Sequence, residues 1–296
     1  MTLISKIKRR IKKVIYPLYG EILMLHRVVK TRSILEENRI LEITPEFLEQ
    51  TILKYKSDRY RFVSMDEVRM LLKKPINLTN KFVCFTLDDG FADNYEEAYP
   101  IFKKHNCPFT IYITTDYPDK NKQYWWYHLE DLLHKKYNFS LNGIEYDCSD
   151  ITKQNRAFIE IRNKIFSSDA SVTIITLEKL FEENGCNSKV HSLCWEQIIE
   201  LSKEPLCTIG AHSVTHSSLP ILSDEKIIKE LLLGKEKIEA KTGMPVNHFA
   251  YPYGNWDNRV KNLVMQHFRT AVTVNWGMIK KYDNLFTLNR KPLEEN

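Results

Sequence analysis

The residues best suited to chemistry sit where apolar runs end. Lys81-Phe-Val-Cys-Phe-Thr-Leu87 runs directly into Asp88-Asp89-Gly90, which places two carboxylates at the end of a strand candidate. Side chains alternate faces along a strand, so adjacent aspartates take separate roles only if the chain breaks into a turn there, and Gly90 permits that break. Taken alone, the three letters read better as an ordinary turn. A second run, Leu206-Cys-Thr-Ile-Gly-Ala211, leads into His212-Ser-Val-Thr-His216. Two histidines four apart share a face if the backbone turns helically, the spacing that lets both imidazoles reach one metal ion. The chain has nine histidines, so a chance pair is an even alternative. Joined by a strand-end carboxylate, the pair would make a two-His, one-carboxylate site with open positions for water, as a catalytic zinc or a similar divalent ion needs. A third run, His248-Phe-Ala250, ends in Tyr251-Pro252-Tyr253-Gly254. Backbone N–H groups in such a turn can face a developing oxyanion, although a plain loop is the better reading of this segment alone.

These groups need a scaffold that brings strand ends together. Short β-branched or aromatic runs at 22–25, 61–63, 81–87, 109–114, 206–209, 248–250 and 269–274 alternate with helical patterns, which predicts parallel strands joined by crossover helices. Seven such strands suggest an α/β fold of the distorted (β/α) barrel kind, with an open doubly wound sheet as the alternative. Asp93 with Glu96 three later reads as a capping box for a helix ending near His105. Thr44-Pro45 opens another helix, and Ser223 opens a third that Gly243 closes. The stretch from about 116 to 190, with Tyr124, Trp125, Trp126 and Tyr127, breaks the alternation and reads as a mainly helical insertion.

Composition narrows the classes further. Lys plus Arg is 43 against 38 for Asp plus Glu, a net of +5, and residues 1–16 hold Lys6, Lys8, Arg9, Arg10, Lys12 and Lys13 with no acid. The body is close to neutral, which argues against a nucleic-acid footprint on the folded domain. In that arm Leu3, Ile4, Ile7, Ile11, Val14 and Ile15 recur at helical spacing up to Pro17. This is the layout of a basic amphipathic helix able to lie on an anionic membrane surface or to pack on the body. The domain reading is therefore an arm over 1–18 and a barrel over 19–296 interrupted by the insertion. The six cysteines form no C-x-x-C pair, no window reaches membrane-spanning length, and no cleavage site follows the apolar stretch 14–25. The expectation is a reduced protein in the cytoplasm, associated with the inner face of the membrane if the arm binds lipid.

Thr86-Leu-Asp-Asp-Gly90, His212-Ser-Val-Thr-His216 and Tyr251-Pro-Tyr-Gly254, in that order, resemble the first three motifs of the polysaccharide deacetylase family, the NodB-homology domain of carbohydrate esterase family four. Cys194-Trp-Glu-Gln-Ile-Ile-Glu-Leu201 resembles the helix before the His motif, and Leu23-Met-Leu-His26-Arg-Val28 the opening strand of one branch. The resemblance implies a distorted barrel that uses one divalent ion to hydrolyse N-acetyl groups on amino sugars. Carried over, Asp89, His212 and His216 would bind the ion, zinc first with cobalt, manganese or nickel as alternatives. Asp88 would be the general base, and the Tyr253 backbone N–H would share the oxyanion. Tyr251, Pro252, Trp125, Trp126, Trp276 and His26 are candidate substrate contacts.

Two departures stand out. The third motif of the family begins with an Arg that orients the catalytic Asp, and Ala250 occupies that place here; Arg290, in Leu288-Asn-Arg-Lys-Pro292, is the candidate replacement. The family's Leu-x-His that protonates the leaving amine has no counterpart, since His267 is the one His after Gly254. The expected activity is deacetylation of an amino sugar in a surface polysaccharide or its lipid-linked precursor. The rivals are a deformylase or other amidohydrolase, and a sugar-binding protein without turnover.

Overall fold

A computed structural model describes residues 18–73, 81–166 and 170–295; the basic arm at 1–16 lies outside the described residues. Seven parallel strands form a closed barrel: β1 (Leu18–Leu25), β2 (Phe82–Leu87), β3 (Phe109–Ile113), β4 (Cys207–Ala211), β5 (His248–Ala250), β6 (Thr270–Trp276) and β7 (Leu288–Pro292). Each pairs with its neighbours in chain order, and β1 closes the ring by pairing with both β2 and β7. Every residue of β2 and β3 is buried, the unbroken apolar signature of strands covered on both faces.

The barrel has the expected class with one correction to its membership. Arg61–Phe62 is a two-residue edge on β2, and the seventh stave is β7, the terminal strand that carries Arg290. The capping box at Asp93 is also corrected. Asp93 makes no cap, because its carboxylate accepts from the Val28 N–H at 3.0 Å and from Arg27 Nε at 2.8 Å. The segment after it begins as a π-helix, Asn94–Ala98, before becoming α-helical over Tyr99–Lys104. Other starts follow local chemistry. Thr44 Oγ1 accepts from the Phe47 N–H at 3.2 Å to cap Pro45–Ser57, and Gly243, at φ 71°, ends Asp224–Thr242. All six cysteines are free thiols.

The long connection from β3 to β4 carries helices Trp125–Lys135, Ile151–Ile165 and Ala170–Glu183 and a hairpin, Asn138–Leu141 with Ile144–Asp147. Its apolar cluster, with Leu129, Leu133, Phe158, Ile161 and Leu177, is separate from that of the barrel and also takes in Leu35 and Phe91.

Inside the barrel, Tyr112 is fully buried and lies over Gly210; a methyl group there would stand 2.5 Å from the Tyr112 ring and 3.1 Å from the His248 carbonyl. Gly210→Ala is therefore expected to destabilise the fold by about 1–3 kcal/mol through overpacking. A urea unfolding midpoint indistinguishable from wild type would contradict this packing.

Candidate active site

Strand β2 ends in a turn that divides two adjacent carboxylates. The Asp88 N–H still donates to the Leu25 carbonyl at 3.0 Å, but Asp89 and Gly90 both take the left-handed conformation, at φ 71° and 70°. A side chain on Gly90 would press within 2.9 Å of Ile113, so the turn needs glycine for both its φ and its space. Asp88 consequently faces β7 and Asp89 faces the histidines.

At the end of β4 the histidines converge through an irregular turn, since Ser213 and His216 are left-handed, at φ 68° and 58°. The spacing of four thus succeeds without a helix. Glu230 holds this turn: its carboxylate accepts from the Val214 N–H at 2.9 Å, the Thr215 N–H at 2.9 Å and Thr215 Oγ1 at 2.8 Å. His212 Nδ1 lies 2.8 Å from the Ala250 carbonyl. A carbonyl can only accept, so that nitrogen carries the proton and Nε2 presents a lone pair.

Asp89 Oδ1 lies 3.3 Å from His212 Nε2 and 3.1 Å from His216 Nε2, and the two Nε2 atoms are 3.2 Å apart. All three side chains are buried. Three donors each about 2.1 Å from one ion, at angles between right and tetrahedral, stand roughly 3.0–3.4 Å apart. The donor set and its spacing therefore fit a divalent cation. Burial opposes the charge on Asp89, yet the neighbouring imidazoles outweigh it and hold the carboxyl well below its usual range.

Asp88 is bound in a different way. The guanidinium of Arg290, itself fully buried, donates Nη1 to Oδ1 at 2.7 Å and Nη2 to Oδ2 at 2.6 Å. Nη1 also reaches Thr86 Oγ1 at 3.1 Å and Nε donates to the Thr273 carbonyl at 2.8 Å. Burial works to raise the Asp88 pKa, but the charge and hydrogen bonds of Arg290 prevail and keep it ionised.

A cavity of about 480 Å³ opens over these groups. His26, Asp88, Asp89, His212, His216 and Tyr253 line its floor. Burial lowers the His26 pKa, against the pull of Asp89 and Asp88. Tyr253 sits in the turn after β5 at φ 57°, and its ring lies 4.3 Å from that of His216. Gly254 is required there because any side chain would strike Val274 at 2.2 Å.

A sequence profile described as polysaccharide deacetylase matches residues 76–272. The chain belongs to the polysaccharide deacetylase family. It is 28% identical over 92 residues to a protein of Bacillus subtilis described as putative polysaccharide deacetylase YxkH, a match covering 31% of this chain and 30% of that protein. It is 28% identical over 148 residues to chitin deacetylase 1 of Saccharomyces cerevisiae, covering 47% of this chain and 48% of the relative. The chain thus spans less than half the length of either curated relative. Among solved structures, the Streptococcus pyogenes deacetylase PplD in complex with acetate superposes with a TM-score of 0.66 at 19% identity, over 94% of this chain and 93% of that one. At that identity the likeness concerns the fold, and it agrees with the barrel described above.

Within this deacetylase-family barrel the candidate contacts separate. Trp125, Trp126, Tyr251 and His26 line the cavity with the aspartates and histidines. Pro252 is buried in its turn and Trp276 is 72% exposed; neither lines the cavity. The structure adds residues that the sequence reading missed: Glu37 and Asn38 from the short helix Glu36–Arg39 between β1 and β2, and Phe158, Arg162, Asn163 and Phe166 from the β3–β4 connection. Arg162 pairs with Glu37 across the cavity wall. No motif marks these positions, because helix residues far apart in sequence meet here only through packing. The hairpin did carry a signal, Asn142-Gly143 at φ 51° and 76° between two short alternating runs.

Proposed function

We propose that the protein is a metal-dependent hydrolase that removes the N-acetyl group from an amino sugar in a surface polysaccharide or its lipid-linked precursor. The observation that carries this reading is the Asp89, His212 and His216 donor cluster beside an Asp88–Arg290 pair in one cavity. A divalent ion held by those three side chains, zinc by preference for the two-nitrogen, one-oxygen set, supplies Lewis acidity at the amide carbonyl and toward the attacking water.

The chain's own groups do the rest. Arg290 fixes both Asp88 oxygens, yet each keeps a further lone pair, so the carboxylate can accept a proton from water as it attacks. The Tyr253 backbone N–H, at a left-handed turn over the cavity, donates to the developing oxyanion. Burial leaves His26 a poor proton donor, so the proton that Asp88 takes from the water is the one passed on to the leaving amine. The aromatic wall of Trp125, Trp126 and Phe158 offers apolar faces for a pyranose ring. Among the described residues no helix is long and apolar enough to cross a membrane. The basic arm at 1–16 would serve as a peripheral contact with an anionic leaflet, and the cytoplasm is the compartment this reading assigns.

The test is acid release from N-acetylglucosamine and its short oligomers by the zinc-loaded full chain. Acetate should appear, with turnover reduced roughly 10²–10⁴-fold in Asp88→Asn. Formate from an N-formyl sugar, with no acetate, would instead identify a deformylase. Sugar binding with no acid released from any probe would overturn the hydrolase reading.

A further inference from the structure

Of the aromatic run Tyr124-Trp125-Trp126-Tyr127, only the two tryptophans line the cavity; Tyr124 and Tyr127 are buried away from it. Each of the four nevertheless touches a different strand-end segment. The Tyr124 hydroxyl donates to the carbonyls of Asp89 and Gly90, at 3.3 and 3.2 Å, in the turn after β2. Trp125 Nε1 donates to the Tyr253 hydroxyl at 3.3 Å, in the turn after β5. The Trp126 ring lies 5.6 Å from that of His216, after β4. The Tyr127 ring carries the guanidinium of Arg27, just past β1, at 4.8 Å. Successive side chains of a helix stand about 100° apart, so consecutive residues at the start of Trp125–Lys135 fan around its axis and meet partners on several sides. A run displayed for stacking against a ligand would need one face alone. The contact at Asp89 bears most on the chemistry. A non-glycine residue at φ 71° occupies a sparsely populated conformation that persists only where its surroundings fix it. Carbonyls can only accept, so the phenol donates to both, and its ring is wedged between Phe91 at 4.1 Å and Tyr117 at 4.2 Å. The hydroxyl thereby pins the peptide that leaves Asp89, and with it the direction of the carboxylate.

We propose that the run 124–127 is a template, supplied by the β3–β4 connection, that holds four strand-end segments of the site in register, and that Tyr124 is the positioning residue that aims Asp89 at His212 and His216. The aiming of Asp89 rests on the metal-dependent reading of the site; the holding of its turn does not. The connection is then a working part of the site, since the turn that divides Asp88 from Asp89 is held from outside the barrel.

Tyr124→Phe tests this, because it removes the hydroxyl and keeps the ring stack. Tyr146→Phe is the matched control: Tyr146 is buried in the same connection, and its hydroxyl has no hydrogen-bond partner among the described residues. Zinc affinity of the full chain, measured by competition with a chelating dye, should fall about 10–100-fold in Tyr124→Phe and keep its wild-type value in Tyr146→Phe. The visible absorption bands of the cobalt(II)-loaded protein, which report ligand geometry, should move in the first variant and not in the second. Hydrogen exchange over residues 88–93, followed by mass spectrometry on the metal-free protein, should quicken in Tyr124→Phe alone. Exchange that stays at the wild-type rate would overturn the template. Faster exchange with zinc affinity and cobalt bands unaltered would overturn the positioning of Asp89. A wild type that binds no ion, beside a Tyr124→Phe protein whose exchange still quickens, would remove the metal reading and leave the hold on the turn standing.

Discussion

Replacing His212 with alanine is expected to strip the protein of its divalent ion. Wild-type protein dialysed after zinc loading should retain about one ion per chain, and the variant should retain almost none, a loss exceeding the roughly 10–100-fold that removal of a mere supporting partner costs. Mass spectrometric metal analysis reads this directly and needs no substrate. Stability gives a second readout, because an ion that binds only the folded state adds about 2.7 kcal/mol at a hundredfold excess over its dissociation constant. Zinc should therefore raise the unfolding midpoint of the wild type and leave that of His212→Ala where it was. The reason lies in the geometry: Asp89 Oδ1, His212 Nε2 and His216 Nε2 crowd within 3.3 Å of one another, and the His212 proton is committed to the Ala250 carbonyl on the far side of its ring. A wild-type protein that takes up no ion on titration would leave this crowding without a purpose and defeat the metal site.

Arg290→Met is the second substitution with a large expected effect. It removes both donors from Asp88 and leaves a carboxylate buried without a partner, which typically costs about 3–5 kcal/mol. Urea unfolding should register that loss, and turnover should fall with it because the carboxylate is no longer held in place. Arg290→Lys separates charge from shape: a lysine restores a point charge but not the planar fork that meets both Asp88 oxygens. Its stability should be intermediate while its turnover stays near that of Arg290→Met. Full turnover in Arg290→Ala would remove the positioning role. The family places an Arg at the start of the third motif, on β5, where this chain has Ala250. Here the guanidinium comes from β7, two staves further round the barrel, and the Ala250 carbonyl is left to orient His212.

How much of this was legible depends on how far each signal reaches. Asp88, Asp89, His212 and His216 stand at strand ends, and strand ends are marked by local letters: an apolar run, then polar residues and a glycine. The barrel class followed from the same alternation. What failed was whatever a distant partner decides. Asp93 looks like a helix cap three residues before Glu96, but Arg27 and Val28 claim its carboxylate from 66 and 65 residues away. Strand β7 stands outside the series of apolar runs because its central side chain is a buried arginine, stable there only because Asp88, Thr86 and Thr273 satisfy it. Glu230 belongs to a helix with no motif of its own, yet it sets the turn that brings His216 back to His212. The cavity wall from Glu37 to Phe166 depends wholly on packing between segments that no local pattern connects.

The separation of Asp88 from Arg290, 202 residues along the chain, also bears on how the protein comes into being. A ribosome adds about 5–20 residues per second, so Asp88 emerges roughly 10–40 s before its guanidinium exists. Over that interval β1 lacks one of its two neighbours in the barrel, which is a curved sheet with an open seam. The β3–β4 connection, with its separate apolar cluster, can condense during the wait. The seam shuts only when β7 slides in beside β1, and the same event delivers the arginine to the carboxylate. Closure of the fold and completion of its reactive centre are thus one step, and a nascent chain that has not yet closed carries no finished site.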